Sequence, residues 1–394
     1  MDINLLKFDY RKIENIFSKK RKRKIFNQLT SKLSFKDYII VLLLTSNIIF
    51  FILYINSLHN KNNNYLNKNL NITDSDIEKK LSLSKEIIKV YSNLFETMRY
   101  YKVSFKNDNN IKVHNFVNKK GVGICTIGRN ENLYAKEFVE YYLKLGIKKI
   151  IIYDNNDINE EKFEEVLDKY IKNNYVEIIN IRGFQSVQLP LYNLCYKKYG
   201  DQFDYIAFLD FDEFITIKDN SNINDYIYRE KFSKCESIIL NWEVYGDNGL
   251  EQYDSRPLKE RFTQMSKKMN RGKNIVLTGI PNLIIISTLI IGINTNYFCD
   301  SNGNRLYIND IYSFNPPDNP EAVINHYYTK TVDEFCNKLR KGDGHFYKNH
   351  PQYLIILNNR INKFIDINVL TYNKFKKLEN CSGINLNKYK IRIK

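Results

Sequence analysis

The residues best placed to do chemistry are three acids within Phe208-Leu209-Asp210-Phe211-Asp212-Glu213-Phe214. They follow Tyr205-Ile206-Ala207-Phe208-Leu209, an apolar, aromatic and β-branched run that reads as a buried strand, so the carboxylates begin where the strand ends. Asp210 and Asp212, two apart, point the same way on an extended chain, and their charges repel unless something positive lies between them. A divalent cation with hard oxygen ligands, Mn²⁺ or Mg²⁺, meets that need. Glu213, one position on, is expected to point away from the pair. A solvated strand end with a helix cap is the commoner origin of a lone D-x-D, because such triplets arise often by chance, so the surrounding elements must decide.

Those elements alternate. Val122–Ile127 reads as a strand, and Asn130-Glu131 followed by an amphipathic run to Leu145-Gly146 reads as a helix with Asn130 as its cap and glycine as its stop. Lys149–Asp154 is a second strand. A helix over 160–172, a strand over 175–179, a helix over 188–199 and the strand into Asp210 complete the pattern. Such alternation predicts an α/β fold with a mostly parallel central sheet and helices on both faces. Ligands of these sheets bind at the carboxyl ends of the strands, where Arg129, Asn130, Asp154 and the acidic triplet all fall.

The chain of 394 residues carries a formal charge of +16, which raises a nucleic-acid reading. Residues 1–37 hold eleven Lys/Arg against four Asp/Glu, so a net +7 sits in this short tail, around Lys19-Lys20-Arg21-Lys22-Arg23-Lys24, and no nucleic-acid partner is expected. From Tyr38 to Leu58 no residue is charged, a length that spans a bilayer core. The basic flank then predicts a single-pass type II membrane protein: a cytosolic tail (1–37), a transmembrane signal anchor (38–58), a stem or linker (59–118) and a catalytic domain (119–394) facing a Golgi or ER lumen, or the extracytoplasmic side of another membrane. A stem helix is expected over 75–100, able to pack on the body or to pair with a second copy as a homodimer. Asn71-Ile72-Thr73 and Asn380-Cys381-Ser382 are glycosylation sequons, so a glycoprotein is expected. The six cysteines lack metal-site spacing; some could pair in an oxidising lumen, while Cys125 and Cys195, inside a predicted strand and helix, are expected to be buried thiols.

The succession Cys125-Thr126-Ile127-Gly128-Arg129-Asn130-Glu131, Glu137-Phe138-Val139-Glu140-Tyr141-Tyr142, Ile151-Ile152-Tyr153-Asp154-Asn155-Asn156, Gln188, Tyr192-Asn193-Leu194-Cys195 and the acidic segment resembles glycosyltransferase family 92 and its family-2-like relatives. Asn241-Trp242-Glu243-Val244-Tyr245-Gly246 is similar to that group's tryptophan-glycine segment. Asn325-His326-Tyr327-Tyr328-Thr329-Lys330-Thr331, with Glu334-Phe335 and Lys338, resembles its closing motif. The match runs in order over roughly residues 120–345. It departs between Lys273 and Cys299, where the relatives usually carry a histidine-containing element and this chain has Leu283–Ile291 without histidine.

The resemblance implies a GT-A nucleotide-sugar fold and a metal-dependent transfer of a sugar from a UDP-sugar donor to a glycan or glycoconjugate acceptor, with inverting galactosyl transfer first among the options. It implies nucleotide-sugar contacts from Thr126, Arg129, Asn130, Glu131, Asp154, Asp210 and Lys330, and metal ligation by Asp210, Asp212 and His326. An inverting displacement needs a carboxylate to take the acceptor proton, for which Asp247 and Glu243 are the candidates. Trp242, the sole tryptophan, fits either a sugar platform or the core. The rival reading is a GT-A-fold carbohydrate-binding protein with weak or no turnover; metal-dependent donor hydrolysis separates the two.

Overall fold

The acidic segment is delivered by a short, fully buried strand. In the computed structural model, which describes residues 74–100, 112–184, 187–289, 295, 297–308, 313–341 and 353–393, the basic tail, the apolar segment 38–58 and Asn71 lie outside the described residues. Among the described residues no helix is long and apolar enough to cross a membrane.

The expected stem helix is α1 (Asp74–Tyr100). It buries Ser84, Ile87 and Leu94, and Lys80 Nζ donates to the Arg182 carbonyl at 3.4 Å. There follow β1 (Val122–Gly128), α2 (Asn132–Leu145), β2 (Lys149–Asp154), α3 (Glu164–Lys172), β3 (Val176–Asn180), α4 (Gln188–Tyr199) and β4 (Tyr205–Phe208), the alternation read from the sequence. Gly146, at φ +100°, stops α2 as expected. Asn130 does not cap it: Glu131 holds the cap position, and Asn130 takes a left-handed turn at φ +53°.

Beyond β4 the alternation fails. β5 (Glu213–Ile217), α5 (Ile223–Ile227), β6 (Ser237–Tyr245), α6 (Leu258–Arg261), the long β7 (Met265–Leu277), β8 (Phe298–Cys299), β9 (Arg305–Leu306) and β10 (Ala322–His326) complete one sheet of order β3-β2-β1-β4-β7-β6-β10-β5, with β8 beside β6 and β9 beside β8. The first four strands are parallel, but β7 runs antiparallel to both β4 and β6, and β10 antiparallel to β5. The sheet is therefore mixed, not mostly parallel as alternation predicted, because hairpin-like returns replace helical crossovers in the second half.

Strand order also explains where the acids sit. β4 and β5 stand four places apart in the sheet, a flat distance of about 19 Å, yet only Leu209–Asp212 joins them, a link that reaches about 17 Å when fully stretched. The sheet must curl to bring the two strands together, and the acidic loop lies at the seam of that curl.

α7 (Val332–Lys341) carries the Glu334-Phe335 and Lys338 of the closing motif, and beyond it lie α8 (Tyr353–Ile367) and α9 (Tyr372–Ser382), which no motif described. Their buried faces, including Phe335, Leu339, Ile361, Phe364, Phe375 and Leu378, form one apolar cluster. Thr371 caps α9 through the Lys374 N–H, and Cys336–Cys381 ties α7 to α9. Two further disulfides, Cys125–Cys195 and Cys235–Cys299, join β1 to α4 and the loop before β6 to β8. The expectation of free thiols at Cys125 and Cys195 is thereby corrected. Their Cα atoms lie 6.5 Å apart, a separation that a helix packed on its strand supplies and no sequence spacing reveals.

Candidate active site

Asp210 and Asp212 are held differently. The Asp210 side chain is 38% exposed, and its Oδ2 accepts from Lys273 Nζ at 2.9 Å. Gln188 Nε2 and Tyr192 Oη donate to its Oδ1 at 3.2 and 3.4 Å. Asp212 is buried; its Oδ2 accepts from Lys338 Nζ at 2.7 Å, and its Oδ1 lies 3.6 Å from His326 Nε2. Burial alone would raise the Asp212 pKa, but Lys338, His326 and Lys330 outweigh it and hold the carboxyl well below the usual range.

Glu213 does not point away from the pair as the strand period suggested. Its Oε2 accepts the Asp210 N–H at 2.9 Å and stands 3.6 Å from Lys273 Nζ, because a turn rather than an extended strand links the two residues. The side chain is fully enclosed, and burial pushes its carboxyl well above the normal value despite Lys273. Lys273, equally buried, keeps its charge: desolvation works against it, and Asp210 with Glu213 more than offsets the loss. Lys273 and Lys338, to which the sequence reading assigned no role, are thus the direct partners of the two acids. The available signal was a lysine placed at the head of the buried run Asn274–Leu277.

His326 ends β10 beside Glu213 and Val244 in the sheet. Its ring lies 4.7 Å from that of Trp242 and 5.5 Å from that of Tyr328. Burial lowers its pKa to about 4, so the imidazole is neutral and its contact with Asp212 is not an ion pair. Nδ1 has no hydrogen-bond partner among the described residues. The Nε2–Oδ1 spacing exceeds a hydrogen bond but suits two donors sharing a cation with bonds of about 2.1 Å. Among the described residues no group of three or more His, Cys, Asp or Glu could hold a metal. Asp212 and the neutral imidazole of His326 are the residues here that could contribute ligands to a cation.

A cleft of about 670 Å³ opens beside this pair, lined among others by Arg129, Asn130, Tyr134, Lys330, Lys338 and Lys341. Lys330 is the one residue other than asparagine or glycine with positive φ among the described residues (+52°), a strained conformation for a long side chain. Its ammonium is buried 3.8 Å from the Tyr134 ring centre, and burial lowers its pKa. Lys338, by contrast, is raised: burial works against its charge and Asp212 prevails. Beneath the cleft, Glu334 accepts from Arg261 at 2.8 and 3.1 Å and from Tyr134 Oη at 2.7 Å.

The other residues singled out by sequence are placed as follows. Arg129 pairs with Asp157, and Lys341 bridges Glu131 and the Arg129 carbonyl. The Asn130 N–H donates to Asn156 Oδ1. Both oxygens of Asp154 are engaged, Oδ1 by Asn156 and Oδ2 by Arg182 Nε at 2.7 Å, so this residue organises the loops at the carboxyl ends of β1, β2 and β3. Thr126 is buried, with Oγ1 unpartnered among the described residues. Asp247 is buried against Lys374 at 2.7 Å and accepts the Gly249 N–H. Glu243 pairs in register with Asn325, on the face opposite Trp242 and His326. The structure brings Asp212, His326 and Lys330 into one electrostatic group, while Asp210 is held by Lys273, Gln188 and Tyr192, and Asp247 is held by Lys374.

The model of glycosyltransferase family 92 matches residues 118–363. The chain belongs to glycosyltransferase family 92. A family 92 protein of Ricinus communis is 22% identical over 241 residues, covering 61% of this chain and 40% of that protein. Another, from Oryza sativa subsp. japonica, is 25% identical over 167 residues, covering 42% of this chain and 28% of its own. The chain thus spans at most about 40% of the length of these curated relatives. Among solved structures, S. aureus TarS 1–349 in complex with UDP-GlcNAc aligns over 66% of this chain and 79% of that chain at 10% identity, with a TM-score of 0.31.

Proposed function

We propose that this family 92 chain transfers a sugar from a UDP-linked donor to a glycan acceptor, with galactose as the first candidate and inversion at the transferred carbon. The observation that carries the reading is Asp212, a buried carboxylate held between Lys338 and a neutral His326 beside a cleft bordered by Lys330 and Lys341. Two acids and several ammonium groups at the end of a parallel strand suit a ligand that is itself a cation-bearing diphosphate. A bound Mn²⁺ or Mg²⁺ would stabilise, as a Lewis acid, the negative charge that develops on the leaving phosphate. Asp212 and His326 would hold it, with Asp210 oriented toward it by Lys273, Gln188 and Tyr192. Lys330 and Lys338 would meet phosphate oxygens as point charges. Asp154 would act through the Asn130–Asn156 loop rather than by direct contact.

Three disulfides support an oxidising compartment, in keeping with a type II protein whose body faces a Golgi or ER lumen. The test is release of UDP or GDP from a panel of UDP- and GDP-sugars by the purified protein, with Mn²⁺, with Mg²⁺ and with chelator. UDP release from UDP-galactose that requires the cation is expected. A GDP-sugar preference, or turnover unaffected by chelator, overturns the donor or the metal assignment respectively.

A further inference from the structure

The basic groups around Asp212 exceed what the cleft uses. On the side of Asp212 formed by Trp242 and α8, Lys363 Nζ stands 3.5 Å from the ring centre of Tyr328 and 5.8 Å from that of Trp242. Aromatic faces retain an ammonium there without neutralising it. Lys363 is half-buried and has no ion pair or hydrogen bond among the described residues. Lys338 and Arg271 are cations that act on it, and Asp212, an anion that acts on it, already binds Lys338 at 2.7 Å. An ammonium held on aromatic faces near like charges is a place that an anion would stabilise. A second observation points the same way: Trp242 is 6% exposed, and its Nε1–H, a hydrogen-bond donor, has no partner among the described residues. Lys363, Arg271 and Trp242 do not line the cleft that Arg129, Lys330 and Lys341 border; only Lys338 belongs to both groups.

We propose that Lys363, seated on the Tyr328 and Trp242 rings beside Arg271, forms an oxyanion subsite that α8 adds to the transfer site. The proposal rests on the glycosyltransferase reading and names a contact that reading lacks. Its ligand is a phosphate or carboxylate oxygen of a substrate, supplied either by the donor's diphosphate or by an acidic sugar of the acceptor.

The experiment uses the full chain with Mn²⁺, and compares wild type, Lys363→Met and Lys363→Arg. Calorimetry reads UDP and pyrophosphate affinity, and initial rates read kcat/KM on matched neutral and carboxylate- or phosphate-bearing glycans. Lys363→Met weakening UDP at least about tenfold assigns the subsite to the diphosphate. Unchanged UDP binding with a loss of about tenfold on acidic acceptors alone assigns it to the acceptor. In either case Lys363→Arg restores most of the effect. A Met variant that melts like wild type, binds UDP as well and uses acidic acceptors as well overturns the subsite while the transferase reading stands. Wild-type protein that neither binds UDP nor transfers sugar overturns the transferase reading itself. If the Met variant does not fold, Lys363→Gln, which keeps a polar side chain of similar reach, is read in its place by the same criteria.

Discussion

At the scale of single residues, the two acids of the strand end are separated by environment, not by chemistry. Asp212→Asn preserves shape but removes the charge that balances Lys338 and would meet the cation, so transfer should fall by at least about a hundredfold, a larger effect than the accompanying loss of stability from the broken buried pair. Near-full Mn²⁺-dependent activity in that folded variant would refute the site. Asp210→Asn should be nearly as severe, since it disrupts the pairing with buried Lys273 as well. The two candidates for the acceptor's base should behave differently. Asp247→Asn leaves Lys374, which is fully buried, without its carboxylate, so the expected loss is about 3 kcal/mol or more in urea unfolding rather than a purely kinetic defect. Glu243→Gln, on the far face of β6, should leave kcat within about threefold of wild type. A hundredfold drop in kcat would instead mark Glu243 as the base.

At the scale of elements, close packing between β1 and the acidic loop sets the position of the acids. A Cβ added at Gly128 would lie 2.5 Å from Phe163 and 2.6 Å from Phe211, the residue between the two aspartates. The Phe163 and Phe211 rings stack at 5.3 Å, so neither can yield without moving the loop. Gly128→Ala should therefore lower kcat more than it lowers stability; the comparison of turnover with melting temperature checks this. The element that supports the cleft is α7, through Glu334 and Arg261, whose side chains are 2% and 1% exposed. Burial would raise the Glu334 pKa, but Arg261, Thr331 and Tyr134 depress it below its normal value. A depressed carboxyl contributes stability that is present above its unfolded pKa of about 4.3 and is lost as pH falls through the folded value. Acid unfolding should accordingly begin at a higher pH in wild type than its overall stability alone would give, and Glu334→Gln should flatten the pH dependence below about 4.3 while costing several kcal/mol at pH 7.

At the scale of the whole molecule, three disulfides and a basic tail before an uncharged segment motivate the proposal that the body faces an oxidising lumen, which glycosylation and protease protection test. Expressed in a secretory system, the protein should carry an N-glycan at Asn71, removable by glycosidase, and its body should resist protease in sealed vesicles. A protease-sensitive body with a protected tail reverses the orientation. Cys336–Cys381 belongs to this scale as well, since it ties α7 to α9 across a 45-residue separation that includes α8, the helix that carries Lys363. Its replacement by alanines should cost roughly 2–4 kcal/mol.

Local sequence determined the first half of the fold and the identity of the acids. Strand, helix and glycine stop from Val122 to Asp210 are each written in residues close in the chain, as is the carboxylate pair at the end of a hydrophobic run, because hydrophobic period and turn chemistry act over a few positions. The order and spacing of the motifs carried the family, and the match to family 92 over residues 118–363 agrees with it. What faces the acids was decided by tertiary structure. Lys273, Lys338 and Lys363 lie 63, 126 and 151 positions beyond Asp210 or Asp212, on a strand and two helices whose approach depends on how the sheet curls. The mixed second half, the pairing of Cys125 with Cys195 and the inward turn of Glu213 are likewise products of long-range packing. A carboxylate's need for a counter-charge is a property of its type; which cation answers it depends on where the chain returns.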